Sequence, residues 1–313
     1  MRFRVKPGMT EVKPDGTMQV EIDPHSGFCG GVIRAIGTAE KILDAEGHLF
    51  SLGAIVHNEE ELARLEGRGL VTLGKADLEA MDAFAAGQTL LIRAHGEPPQ
   101  VYARLRELGF KVTDCTCPVV LGLQQKIREA HARVAPAGGQ VVLFGKIGHP
   151  EVLGLVGQVP EGGVTVVENA EQLEARLADG SIRPGRAIEL FSQTTMSPEG
   201  YDAVRGRLQA AMQGASLTVH DTICRQVASR HRELSDFARA HDAVVFVSGR
   251  ESSNGKVLCE LCRRANPRTW HIGSADELCP EWFRPGDRVG VCGATSTPKW
   301  LLEEVAAGIK NLQ

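Results

Sequence analysis

Residues 140–151 read QVVLFGKIGHPE, and this stretch decides the fold class. Val141 to Phe144 form a short apolar run that ends at Gly145, as a strand buried on both faces does. A glycine-containing loop follows, then His149-Pro150-Glu151, where the proline suits the first turn of a helix. The same succession recurs along the chain. Apolar runs appear at 48–56 (HLFSLGAIV), 89–94 (TLLIRA), 187–192 (AIELFS), 243–249 (AVVFVSG) and 288–294 (RVGVCGA). Helical periodicity lies between them. Val32, Ala35, Ile36, Ala39 and Leu43 recur at helical spacing, as do Val101, Leu105 and Leu108, with Gly109 placed to end the second helix. Strands alternating with helices predict parallel sheets of the α/β class.

The residues that follow the strands carry the chemistry. In chain order the strand-like segments deliver His57-Asn58, His95-Gly96, Cys117-Pro118, His149-Pro150-Glu151, Thr194-Thr195, Cys224, Ser252-Ser253-Asn254 and Ser296. Parallel α/β sheets bind ligands outside the carboxyl ends of their strands. Any one of these groups alone fits ordinary turn or cap chemistry. Eight in register point to a site.

Composition narrows the class. The chain has 313 residues, 42% of them hydrophobic, and a net charge of −4. That supports a substantial core and more than one compact unit. No Lys/Arg-rich run marks a nucleic-acid surface. No apolar stretch has the length of a membrane helix, and the N-terminus lacks a secretory apolar core. The expectation is a soluble, cytoplasmic protein that engages neither nucleic acid nor membrane.

The eight cysteines are Cys29, Cys115, Cys117, Cys224, Cys259, Cys262, Cys279 and Cys292. A chain this long, without a secretion signal, does not read as a disulfide scaffold. Cys29, Cys117 and Cys224 each fall between a strand-like and a helix-like segment, about one small α/β unit apart. Three thiols from three units could hold a metal or an iron–sulfur cluster, or could be packing residues, where free cysteine usually sits. The Cys259/Cys262 pair has the look of a metal motif. It lies in a helical segment with no second pair at zinc spacing, so it reads as structural. Cys115, Cys279 and Cys292 read as packing or incidental thiols.

Taken together and in order, GFCGGVIRAI, VHN, AHG, TCP, GHPEV, SQTT, DTICRQV, SSN and GATSTP resemble the LytB/IspH family of 4-hydroxy-3-methylbut-2-enyl diphosphate reductases. The resemblance runs from about Phe28 to Trp300. It implies three small parallel-sheet α/β domains in pseudo-threefold arrangement around a central 4Fe–4S cluster. The expected organisation is an N-terminal extension over 1–22 and α/β domains over 23–117, 118–221 and 222–313. It implies that Cys29, Cys117 and Cys224 hold the cluster and leave one iron open. It implies diphosphate binding by His57, His95, His149, Ser252, Ser253, Asn254 and Ser296, with Glu151 as proton donor and Thr194 binding substrate at its hydroxyl. The implied reaction is reductive loss of that hydroxyl to give isopentenyl and dimethylallyl diphosphate, the last step of the non-mevalonate pathway. Ferredoxin or flavodoxin would donate the electrons.

Residue chemistry agrees with this. A diphosphate needs many donors in a fixed cage, and protonated histidines, hydroxyls, an amide and helix N-termini supply them. Arginine, the usual bidentate clamp, is nearly absent from these strand ends. Loss of an unactivated hydroxyl needs electrons and a proton. An open iron would bind the alcohol oxygen, and Glu151 would protonate the leaving oxygen. Lys146 stands where many family members carry His, and Cys115 adds a thiol two residues before Cys117. Two other classes remain in view. A redox-neutral lyase with the same three-thiolate cluster, of the quinolinate synthase type, would turn over without reductant. An iron–sulfur sensor or anion-binding protein would bind without turnover.

Overall fold

The computed structural model describes residues 17–81 and 87–312. Residues 1–16 of the expected N-terminal extension lie outside the described residues. Packing divides the chain into two units. One holds the residues up to Gly27 together with those from Glu233 onward, and the other runs from Phe28 to Arg232.

The chain enters through β1 (Gln19–Ile22), α1 (Gly30–Glu46), β2 (Leu49–Leu52), α2 (Glu59–Glu66), β3 (Leu70–Leu73), α3 (Lys75–Ala80), β4 (Thr89–Ile92), α4 (Pro99–Glu107) and β5 (Lys111–Asp114). It continues with α5 (Pro118–Val134), β6 (Gln140–Phe144), α6 (Pro150–Val156), β7 (Val164–Val167), α7 (Ala170–Ala178), β8 (Ile188–Ser192), α8 (Pro198–Ala211) and β9 (Leu217–Val219). It ends with α9 (Arg225–Arg239), β10 (Ala243–Val247), α10 (Ser253–Ala265), β11 (Thr269–Ile272), β12 (Arg288–Gly293) and α11 (Lys299–Asn311).

The strands form three four-stranded parallel sheets, ordered β3-β2-β4-β5, β7-β6-β8-β9 and β1-β12-β10-β11. The α/β class is as the sequence predicts. All three sheets share one order. Their first strand in sequence lies second, between the second and the third, and the fourth strand is an edge. In the third sheet the fourth place is taken by β1, which comes from the far end of the chain and pairs with β12 in register Gln19 to Arg288. Each sheet therefore ends in an edge strand followed by one of the three cysteines and then a helix: β1, Cys29, α1; β5, Cys117, α5; β9, Cys224, α9.

Both faces of each sheet are covered. In the first, Leu49 and Leu91 meet Ala35, Ile36, Ala39 and Leu43 of α1 on one face, while Phe50, Leu90 and Ile92 meet Leu105 of α4 on the other. In the second, Val141, Leu143 and Phe191 face Leu123 and Ile127 of α5, while Val142, Phe144 and Leu190 face Leu173, Tyr201 and Val204. In the third, Val245 and Val291 meet Leu301 and Val305 of α11, while Val244 and Phe246 meet Leu258, Cys259 and Cys262 of α10. This double coverage is why the central strands read as unbroken apolar runs. The expected end of α4 is close: Leu108 caps it and Gly109 follows with φ 81°.

No helix among the described residues is long and apolar enough to cross a membrane.

Phe191 is fully buried on central strand β8, whereas Val219 ends edge strand β9 and is 36% exposed. Phe191→Ala is expected to lower the unfolding free energy by about 3–5 kcal/mol. Val219→Ala is expected to stay within about 0.5 kcal/mol. Urea melts of the two variants check the contrast.

Candidate active site

Three of the expected thiols gather in the unit that spans Phe28–Arg232. Cys29 is the N-cap of α1, Cys117 is the N-cap of α5, and Cys224 directly precedes α9. A helix N-terminus presents unpaired N–H groups and a positive dipole end, which favour a thiolate. Two backbone bonds fix the loops: Cys117 N–H donates to Ala94 O at 3.0 Å and Cys224 N–H to Thr194 O at 2.9 Å. Gly31 must be small, because a Cβ there would stand 3.2 Å from Cys117 Sγ. Burial pushes the Cys29 thiol up, the N–H groups of Val32 and Gly31 pull it down, and Cys117 and Cys224 push it up again as like charges. Cys224 also lines a cavity of about 440 Å³ with Pro118, Val119, Leu123 and Ile223. None of the eight cysteines is in a disulfide.

This donor set fits a soft, cationic metal centre. Three free thiols share one neighbourhood, each at a helix N-terminus, and their mutual repulsion is what a bound cation relieves. The other cysteines lie elsewhere. Cys115 belongs to the apolar cluster beneath α1, and Cys259, Cys262 and Cys292 belong to the cluster beneath α10. Cys279 Sγ donates to Glu281 Oε2 at 2.5 Å.

His57, His95 and His149 converge in the same unit, with ring centroids 5.3 to 6.2 Å apart. Their candidate donor atoms lie within 4.8 Å of one another, close enough to hold a metal ion. Their surroundings favour an anion. Arg93, seven per cent exposed, lies beside them and acts on both His95 and His149. His149 Nδ1 accepts from Glu151 N–H at 3.2 Å, so its neutral tautomer carries hydrogen on Nε2 and offers a donor.

The expectation of protonated histidines needs correction. Burial, then the charges of Arg93, His149 and His57, hold His95 well below the usual histidine range. Burial, then His57, Arg93 and Lys146, lower His149 to about 4. These two imidazoles are neutral donors at neutral pH. One arginine does stand at these strand ends: Arg93 reads as part of the run TLLIRA, but β4 ends at Ile92 and the guanidinium donates to Ala54 O.

Glu151 is one per cent exposed and sits in the first turn of α6. Thr194 N–H donates to its Oε1 at 2.8 Å and Thr194 Oγ1–H to its Oε2 at 2.9 Å. Burial pushes this carboxyl up to about 7, against the lowering effect of both Thr194 bonds. The Thr194 carbonyl in turn accepts from Cys224 N–H. A carboxyl that holds its proton near neutrality is thus linked through Thr194 to the backbone of Cys224. Gln193 adds a strut that sequence reasoning did not single out. Its Nε2 donates to Thr195 Oγ1 at 2.9 Å, and its Oε1 accepts from Lys146 N–H at 3.0 Å.

The remaining expected residues lie together in the other unit. Ser252 caps α10 and accepts from Gly255 N–H at 3.0 Å, and its Oγ is 3.2 Å from Ser296 Oγ. Asn254 Nδ2 donates to Thr295 Oγ1 at 3.1 Å, while its buried Oδ1 has no hydrogen-bond partner. Ser253 opens α10. Hydroxyls and an amide at a helix N-terminus form an anion-binding surface.

The profile of the LytB protein family matches residues 20–310. The chain belongs to the LytB family. LytB relatives named 4-hydroxy-3-methylbut-2-enyl diphosphate reductase include one from Parabacteroides distasonis, 48% identical over 94% of this chain and 98% of that protein. Another, from Porphyromonas gingivalis, is 47% identical over 94% of this chain and 99% of that protein. A solved (E)-4-hydroxy-3-methyl-but-2-enyl diphosphate reductase, described as the terminal enzyme of the non-mevalonate pathway, matches with TM-score 0.66 and 32% identity over 94% of this chain and 99% of its own. The Plasmodium falciparum E-1-hydroxy-2-methyl-but-2-enyl-4-diphosphate reductase shares the fold, with TM-score 0.78 and 22% identity over 94% of this chain and 88% of its own. LytB membership makes the chain an oxidoreductase.

Glu151 binds its proton more tightly in the folded than in the unfolded chain. Its stabilising contribution is full below about 4.5 and is lost as the pH rises through about 7. Glu151→Gln removes that slope. Relative to the variant, the parent is expected to lose up to about 3 kcal/mol of stability between pH 5 and pH 8. Denaturant melts at the two pH values check it, and parallel curves would contradict it.

Proposed function

We propose that this LytB protein reduces (E)-4-hydroxy-3-methylbut-2-enyl diphosphate to isopentenyl and dimethylallyl diphosphate. The observation that carries the proposal is the path from Glu151 through Thr194 to Cys224. It sets a buried, protonatable carboxyl beside the three-thiol centre. The net change is R–OH + 2e⁻ + 2H⁺ → R–H + H₂O. A 4Fe–4S cluster held by Cys29, Cys117 and Cys224 would supply one-electron transfers and a Lewis-acidic iron.

The chain's own residues do the rest. Diphosphate charge is taken up by His57, His95 and His149; Ser252, Ser253, Asn254 and Ser296 are the anion-binding groups of the other unit. His149 contributes an Nε2–H donor, since its Nδ1 is occupied. Thr194 Oγ1 contacts the substrate hydroxyl and passes it the proton of Glu151. Once deprotonated, Glu151 keeps both Thr194 hydrogen bonds, which stabilise the carboxylate and hold it ready for reprotonation. A ferredoxin or flavodoxin in the cytoplasm fits as electron donor, because these carry low-potential electrons one at a time.

An anaerobic assay with a strong low-potential reductant, followed by product identification, tests the proposal. Glu151→Gln is expected to lower turnover by about 10²- to 10⁴-fold while leaving substrate affinity within a few-fold. The parent rate is expected to fall as the pH rises above about 7, where Glu151 loses its proton. Turnover without any reductant, or a Glu151→Gln rate equal to the parent's, would contradict it.

A further inference from the structure

Arg93 is a buried cation that the reaction scheme does not use. It is seven per cent exposed, in the loop that leaves β4 two residues before His95. Its Nη1 donates to Ala54 O at 3.1 Å, three residues before His57 on the loop that leaves β2. The guanidinium therefore bridges the two loops that carry His57 and His95. Its seat is shaped for it. Gly53, at φ 73°, has no side chain, and a Cβ there would stand 2.7 Å from the guanidinium carbon. Its Nε is buried without a hydrogen-bond partner, as is Nδ1 of His95.

Glu97 holds it from behind. Glu97 is one per cent exposed, with Oε1 4.0 Å from Arg93 Nη2 and Oε2 3.5 Å from Lys75 Nζ. A structural ion pair would be neutral. Here the Glu97 carboxylate is shared with Lys75, which is 44% exposed and screened by solvent, while Arg93 sits in a poorly solvated place with that carboxylate no nearer than 4.0 Å. A buried charge left uncompensated is costly unless an opposite charge arrives. The His95 and His149 imidazoles are held neutral, so those two do not supply the fixed charge an anion needs.

We propose that Arg93 is the fixed cation of the diphosphate site, seated between the His57 and His95 loops and positioned there by Glu97. The proposal rests on the reading of the histidine cluster as that site. Arg93 attracts the anion through space while the imidazoles supply hydrogen bonds. The same charge opposes a metal cation among the three histidines. The groups that face this cluster are Lys146 from the β6–α6 loop, Glu151 from α6, and Glu97 and Lys75 behind Arg93.

Inorganic pyrophosphate is the probe, titrated calorimetrically into cluster-loaded, anaerobic protein between pH 5.5 and 8. Arg93→Gln is expected to weaken binding roughly tenfold or more, with most affinity restored in Arg93→Lys. In Arg93→Gln the pH below which binding tightens is expected to move up, since the cation that suppresses histidine protonation is gone. Glu97→Gln carries the opposite sign and is expected to bind more tightly than the parent, which decides the matter should Arg93→Gln fail to fold. His149→Asn separates the two levels. If it loses pyrophosphate while Arg93→Gln binds within about twofold of the parent, Arg93 has no such role and the histidine site stands. If the parent does not bind pyrophosphate, or His149→Asn binds as the parent does, the site reading falls and this inference with it.

Discussion

The constraint on which the rest of the site depends is the placing of three thiols, Cys29, Cys117 and Cys224, each at the start of a helix. Burial pushes the Cys29 thiol up, the N–H groups of Val32 and Gly31 draw it down, and the like charges of Cys117 and Cys224 add smaller upward pushes. The helix N-termini of α1, α5 and α9 favour thiolates at these three positions, a donor set that suits a cationic centre. In each sheet the fourth strand is followed in the chain by one of the three thiols, and in the third sheet that strand is β1, from the other end of the chain.

The proton side of the site uses the same logic in reverse. Glu151 is buried where its charge would be poorly solvated, and its neutral form is favoured. Thr194 supplies two donors that bring the carboxyl back toward ionisation, which leaves it balanced near neutrality rather than locked in either state. That balance is what a general acid needs. His95 and His149 are pushed the other way, toward neutral donors, by burial and by Arg93. The site thus separates its tasks: one group carries a movable proton, two imidazoles carry fixed donors, and a guanidinium carries fixed charge.

Much of this was legible in the sequence, for physical reasons that also mark its limits. The six apolar runs correspond to β2, β4, β6, β8, β10 and β12, the central pair of each sheet, where both faces are covered and most side chains are apolar or small. Edge strands β1, β3, β7 and β11 escaped. They bury only part of their residues, as β1 and β3 show, and so lack a continuous apolar signature. The partnership of β1 with β12 is a contact between chain ends that no local pattern encodes. Residue types at the strand ends were visible, and the structure gathers the three histidines, Glu151 and Thr194 within one unit. Protonation states were not, because burial and neighbouring charge set them. Arg93 was hidden because an arginine at the end of an apolar run looks like a solvent-facing terminus.

The central claim is that Cys29, Cys117 and Cys224, and no other thiols, hold one cluster. Its most direct test is iron and sulfide analysis with visible absorption on anaerobically purified protein and on single Cys→Ser variants. The account predicts about four irons and four sulfides per chain. These should be lost in Cys29→Ser, Cys117→Ser and Cys224→Ser and kept in Cys115→Ser and Cys259→Ser. A colourless parent that holds zinc or no metal, or a cluster that survives loss of any of the three thiols, would contradict it.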